Sequence, residues 1–185
     1  MKRTVLIFGL ISGAIMAGMM FGTILFIRQI GFDKAEIIGY TGMVLAFLLV
    51  FFGIRSYREN VGGGTISFGR AFAIGILITL ISTACYVVAW EIIYFGFVHD
   101  FADKYAAYVV EQVKASGASQ EVIQAKLQEM KRFKELYQNP FFNAAITFLE
   151  PLPVGLIITL ISALLLRKKG KADELRQAGS VVSAV

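Results

Sequence analysis

The sequence predicts an all-α integral membrane protein: a bundle of four transmembrane helices with an extracytoplasmic helical hairpin between the third and fourth spans. Three observations carry that prediction. The 185-residue chain is 57% hydrophobic and only 17% charged, with a mean hydropathy of +0.69, which is too apolar for an ordinary soluble domain. Its ionisable residues gather in short islands that leave four long apolar stretches between them. Lys and Arg fall unevenly on those islands, which gives the spans an orientation.

A helix rises about 1.5 Å per residue, so a hydrocarbon core of roughly 30 Å takes about 20 apolar residues to cross. The first span, 4–27, lies uncharged between Arg3 and Arg28. It exceeds the apolar core of a cleaved signal peptide, about 7 to 15 residues. Gly9, Gly13 and Ala17 recur every fourth residue, and so do Ala14, Gly18 and Gly22 on an adjacent face. Such spacing lets helices approach closely, within the bundle or across a dimer. A short loop carrying Arg28 and Lys34 leads to the second span, 37–54, between Glu36 and Arg55. Gly62, Gly63 and Gly64 follow as a flexible turn; a phosphate-binding loop would need a Lys-Ser or Lys-Thr after it. Ser67 then stands where a helix N-cap belongs, before the third span, 71–97. The fourth span, 141–166, has Glu150 as its only charge.

The polar segment 99–139 has the pattern of two helices. Phe101, Tyr105, Tyr108, Val109, Gln112 and Val113 recur at three- and four-residue steps, and Ile123, Leu127, Met130, Phe133 and Tyr137 resume that period. Ser116, Gly117, Ala118 and Ser119 interrupt between them, and Asn139 and Pro140 stop the second helix. The expectation is that the first of these helices continues the third span outward, that the two stripes pack on each other, and that the hairpin projects from the membrane. Residues 1–171 form one membrane domain, and 172–185 are expected to be a disordered cytoplasmic tail.

The basic residues Lys2, Arg3, Arg55, Arg58, Arg70, Arg167, Lys168, Lys169, Lys171 and Arg176 collect on one side of a four-span topology. Cytoplasmic flanks carry such an excess, so both termini are expected in the cytoplasm and the protein in a bacterial inner membrane. The net charge of +5 is then a topology signal, and no nucleic-acid partner is expected. The expected partners are membrane lipids, a second copy of the chain or another membrane protein. With Cys85 as the only cysteine, an intrachain disulfide and a cysteine metal knuckle are excluded.

One family resemblance spans nearly the whole chain. It rests on Phe52-Gly53-Ile54-Arg55-Ser56-Tyr57-Arg58 ending the second span and Ile66-Ser67-Phe68-Gly69-Arg70-Ala71-Phe72 opening the third. Tyr86 through Trp90-Glu91, then Asp100-Phe101 and Lys104-Tyr105, extend it. In these motifs the chain resembles the bacterial membrane family known as domain of unknown function 4199. The resemblance implies a four-helix membrane protein of bacteria and carries no activity, substrate or catalytic residue with it.

Ionisable groups inside a membrane cost several kcal/mol unless paired or hydrated, which makes Glu91 and Glu150 the candidates for chemistry. Pro151 and Pro153 cannot donate backbone hydrogen bonds, so they would free the carbonyls of Thr147 and Leu149. A broken helix beside a carboxylate is how transporters build ion and proton sites, and Glu150, Glu91, Thr147 and Leu149 form such a candidate site. The simpler reading puts the two prolines in the first turn of a short helix with Glu150 just before it, and Glu91 at the interface beside Trp90. Arg55, Arg58 and Arg70 are candidate contacts for anionic lipid headgroups. His99 and Asp100 have no second His or Cys near them, and no spacing offers a nucleophile with its base, so neither a metal, a cofactor nor an enzyme is expected.

Two function classes follow. The first, and the one favoured by sequence alone, is a scaffold or accessory subunit of the inner membrane. The alternative is a small transporter or ion-coupled protein using Glu150 and Glu91 for a proton or cation. They differ in whether the two carboxylates face one another inside the bundle.

Overall fold

The computed structural model describes residues 1–168, so the tail expected over 172–185 lies outside the described residues. Its helices are α1 (Lys2–Asn60), α2 (Phe68–Gly96), α3 (Phe101–Ala115), α4 (Gln120–Tyr137), α5 (Pro140–Leu149) and α6 (Leu152–Leu166). Four stretches of them are long and apolar enough to cross a bilayer: Lys2–Ile27, Gln29–Asn60, Phe68–Gly96 and Pro140–Leu166. The described residues are thus helical, with four candidate membrane spans.

The first two spans are the limbs of α1, which turns back on itself at Gly31, where φ is +79° and ψ is 163°. That conformation is essentially closed to any residue with a Cβ, so one glycine does the work expected of a loop around Arg28 and Lys34. The limbs run antiparallel, with the Ser12 hydroxyl donating to the Ala46 carbonyl at 2.9 Å, Gly42 against Met19 and Gly53 against Phe8. The second limb is helical from residue 32 onward, well before position 37.

Ser67 caps α2, its hydroxyl accepting from the Arg70 amide at 3.4 Å. At the far end α2 does not continue into the hairpin. Gly96, a poor helix residue, closes it, and Phe97 leaves the helical region with φ −132°. The amides of Phe97 and Val98 both turn back to the Ile93 carbonyl, at 2.9 and 3.1 Å, and α3 starts afresh at Phe101. Gly117, with φ +76°, and Ser119, which caps α4, make the tip of the hairpin. The Asn139 side chain accepts from the Phe141 and Phe142 amides and Pro140 takes the first turn of α5.

Away from the hairpin, the bundle is held by small residues. Gly9 and Gly13 lie against Ile81 and Cys85 of α2, and the Ser82 hydroxyl reaches the Gly9 carbonyl at 3.1 Å. Gly75 sits against Thr159, Gly155 against Thr79 and Phe47, and the Thr79 and Thr159 hydroxyls meet at 3.2 Å in the buried interior. The first glycine stripe is thus a contact within the bundle, whereas nothing lies within 4 Å of where a Cβ would stand at Gly18 or Gly22. Leu6, Leu10, Leu45, Ile161 and Leu165 point outward, as lipid-facing side chains do. The α1–α2 connection is tied to the end of α6: Ile66 and Lys168 exchange backbone hydrogen bonds, and Arg58 donates to the Leu166 carbonyl at 3.3 Å.

The hairpin is antiparallel, with Lys134 paired to Asp103 and the rings of Tyr105 and Phe133 6.1 Å apart. It packs against the bundle. Its buried stripe is Ala102, Ala106 and Val110, one position round from the expected one, because the larger rings turn to the bundle. Phe32, just after the Gly31 reversal, meets Phe101, Tyr105 and Tyr108 at ring distances of 5.8, 5.8 and 5.1 Å. The Tyr108 hydroxyl donates to Asp33, and the Trp90 indole N–H donates to the Tyr137 hydroxyl at 2.9 Å. The hairpin therefore lies folded across the Gly31 end of the bundle.

Candidate functional site

Beneath the hairpin the helices stand apart and leave a partly open cavity of about 430 Å³. Its size falls within the usual range for small-molecule pockets, roughly 300–1,000 Å³. Met16, Met20 and Thr23 line it from the first limb of α1, and Glu36, Tyr40 and Met43 from the second. Tyr86 and Trp90 contribute from α2, and Phe101, Tyr105 and Tyr108 from α3. Phe133 and Tyr137 reach in from α4, Thr147 from α5, and Glu150 from the junction of α5 with α6.

That junction explains why Glu150 is presented. α5 ends at Leu149, Pro151 cannot continue its hydrogen-bond ladder, and α6 restarts at Leu152 with Pro153 in its first turn. The fourth span is therefore a broken helix, with Pro151 at the N-cap of α6 and Pro153 in its first turn. Glu150 is exposed, and the surface that it exposes lines the cavity. The Tyr86 hydroxyl donates to its Oε2 at 3.2 Å.

The candidate residues separate on inspection. Thr147 joins Glu150 at the cavity wall; it is buried, and its hydroxyl donates to Asn143 Oδ1 at 3.3 Å. Leu149 is 60% exposed and lies off the cavity lining, and Glu91 lies off it too. Glu91 is half-buried, and its Oε1 has no hydrogen-bond partner among the described residues. The carboxylate that shares the cavity with Glu150 is instead Glu36. From sequence, Glu36 marked only the edge of the second span. The signal that could have found it is the single-glycine reversal at Gly31, which starts the helix at 32 and puts Glu36, Tyr40 and Met43 on one face at four- and three-residue steps.

Arg55, Arg58 and Arg70 stand at the opposite end of the bundle. Arg55 and Arg58 share the Glu59 carboxylate, at 2.9 and 3.3 Å, and Arg70 is exposed. His99 is exposed and Asp100 pairs with Lys104. Among the described residues no three His, Cys, Asp or Glu side chains gather as a metal would require.

The electrostatics of the cavity are one-sided. Its described lining includes two carboxylates and no Lys, Arg or His. In the hairpin, the Tyr137 phenol is pushed up to about 12, chiefly by burial, against the opposing pull of its hydrogen bonds with Trp90 and Thr147. The Tyr108 phenol is raised by its hydrogen bond to the Asp33 carboxylate. Both phenols are therefore neutral at physiological pH, and the acidic groups of the described lining are the carboxyls of Glu36 and Glu150. Such a site can hold a cation or exchange a proton.

The chain matches no curated protein and no solved structure. A family model does match, over residues 7–168, from the first limb of α1 through the whole of α6. The chain belongs to the family described as protein of unknown function, DUF4199.

Proposed function

We propose that the chain is a small ion-coupled or transport protein of the bacterial inner membrane, with Glu150 as its cation- or proton-exchanging group. In this reading it crosses the bilayer four times, both termini are cytoplasmic, and the hairpin of α3 and α4 covers the extracytoplasmic mouth. The distribution of Lys and Arg supports that orientation: Lys2, Arg3, Arg55, Arg58 and Arg70 all belong to one end of the bundle. The observation that carries the function is the placement of Glu150 at a helix break, facing a cavity whose described lining holds no basic side chain to neutralise it. Carboxylates are kept at membrane depth only where they are paired, hydrated or functional, and here the second carboxylate is Glu36. A scaffold or accessory role would leave this cavity without a use, and the apolar residues on the outer faces are what lipid alone asks of them.

The test compares wild type with Glu150→Gln by thermal unfolding in detergent, across pH and a panel of monovalent and divalent cations. Wild type should show a midpoint that depends on pH or on one cation, and the dependence should vanish in Glu150→Gln. Identical behaviour of the two proteins across the whole panel would sink the coupling role.

A further inference from the structure

We infer that the cavity binds a small organic monocation with an apolar body, such as an aryl-substituted quaternary ammonium. This deepens the proposal above and rests on it: the same Glu150 cavity is the site, and the inference names the class of its ligand. Charge comes first, because Glu150 and Glu36 face the space and the described lining offers no cationic side chain. An anion or a zwitterion presenting its phosphate would be repelled there by the two carboxylates.

Wall chemistry comes second. A bare inorganic cation asks for a tight cage, six to eight oxygens at about 2.3–2.6 Å for calcium. Here Glu36 and Glu150 look into about 430 Å³ whose remaining surface is largely rings and methionines. Trp90, Phe101 and Tyr105 bring aromatic rings to the lining, and cations are attracted to aromatic faces within about 6 Å of the ring centre. Trp90 spends its N–H on Tyr137, so what it gives the cavity is ring carbon. Met16, Met20 and Met43 supply a polarizable floor that adapts to the shape of an apolar group. The arrangement matches a ligand with a charged head at Glu150 and an apolar body against the rings.

Trp90 is the only tryptophan of the chain, so its emission reports on this cavity without background. The experiment titrates detergent-purified full-length protein with benzyltrimethylammonium, with benzyl alcohol as the neutral ring and with tetramethylammonium as the charge alone, following Trp90 fluorescence. Benzyltrimethylammonium should give a saturable change and bind at least tenfold tighter than either control. Both Glu150→Gln and Glu36→Gln should weaken it about tenfold while leaving benzyl alcohol unchanged; the second variant keeps the test alive if the first does not fold. Equal affinity for benzyl alcohol, or a cation affinity unmoved in both variants, overturns the inference. If benzyltrimethylammonium fails to bind while the cation or pH dependence of the wild-type midpoint still requires Glu150, the organic ligand is wrong and the coupled site stands. If neither is seen, both fall.

Discussion

The two ends of this bundle are built from different residues and are held together in different ways. At the end carrying Gly9, Gly75 and Gly155, backbone meets side chain directly, and the Ser82, Thr79 and Thr159 hydroxyls are satisfied by carbonyls or by each other, while buried Thr83 Oγ1 has no partner among the described residues. At the Gly31 end the helices are held apart by Phe, Tyr, Trp and Met, and the polar groups there include the carboxyls of Glu36 and Glu150 and several phenols besides the Thr23 and Thr147 hydroxyls. The fourth span divides at the boundary: α6 packs on α1 and α2, α5 on α2 and α4, and Glu150 stands between them. In lipid, apolar side chains gain little by meeting one another instead of acyl chains, so close approach over small residues is what associates helices. The glycine end therefore supplies the stability that lets the aromatic end stay open around a cavity.

The largest effect should come from adding one methyl group at each end. A Cβ at Gly155 would stand 3.0 Å from the Phe47 ring and closer still to the Thr79 methyl, with two other helices behind them. Gly155→Ala should cost about 3 kcal/mol through overpacking. Gly18→Ala, with nothing within 4 Å, should instead gain about 0.5–1 kcal/mol by removing a helical glycine. Opposite signs in thermal or denaturant unfolding support the division; a tolerated Gly155→Ala would break it.

A smaller effect sharpens the account of the closed end. Thr79→Val removes one hydroxyl of the buried pair and leaves Thr159 facing it without a partner. The expected loss is about 1.5 kcal/mol, near the upper end for interhelical hydrogen bonds in membranes. The double variant Thr79→Val with Thr159→Val should cost no more than the single one, since no orphaned hydroxyl remains. An additive double variant would mean that each threonine acts through packing alone.

What the sequence disclosed follows the same division. The four apolar stretches, the Ser67 cap and the hairpin tip at Gly117 and Ser119 were legible because length, hydropathy and capping chemistry are local. The helix break at Pro151, with Glu150 beside it, was one of two readings that the prolines allowed. The reversal at Gly31 was not, because a lone glycine inside polar residues looks the same whether it sits in a loop or replaces one. Gly96 had the same ambiguity, and reading past it joined α3 to α2. Glu36 was hidden by the first of these, since its face is defined only once the helix is known to start at 32. The alternate stripe of α3 was hidden by tertiary competition: Phe101, Tyr105 and Tyr108 have the right period to pack on α4, yet Phe32 draws them to the bundle.

The smallest effect is specific to the open end, where the phenols titrate and the threonines and glycines of the closed end do not. Below pH 10 the Tyr137 phenol is neutral in the folded and the unfolded chain alike, so its ionisation costs the fold nothing. Between 10 and about 12 the unfolded chain loses that proton while the buried phenol beside Trp90 keeps it, so stability falls as pH rises through this window. From pH 9 to 10.5 the expected loss is about 0.5–1 kcal/mol, since one pH unit of full linkage is worth about 1.4 kcal/mol. Tyr137→Phe should start less stable, having lost the acceptor for the Trp90 N–H, but should decline less steeply over the same range. Unfolding midpoints at the two pH values, read from Trp90 emission, compare the slopes directly. Equal slopes in the two proteins would show that Tyr137 stays protonated no more tightly in the fold than in water, and that the hairpin closes the cavity more loosely than the Trp90–Tyr137 bond implies.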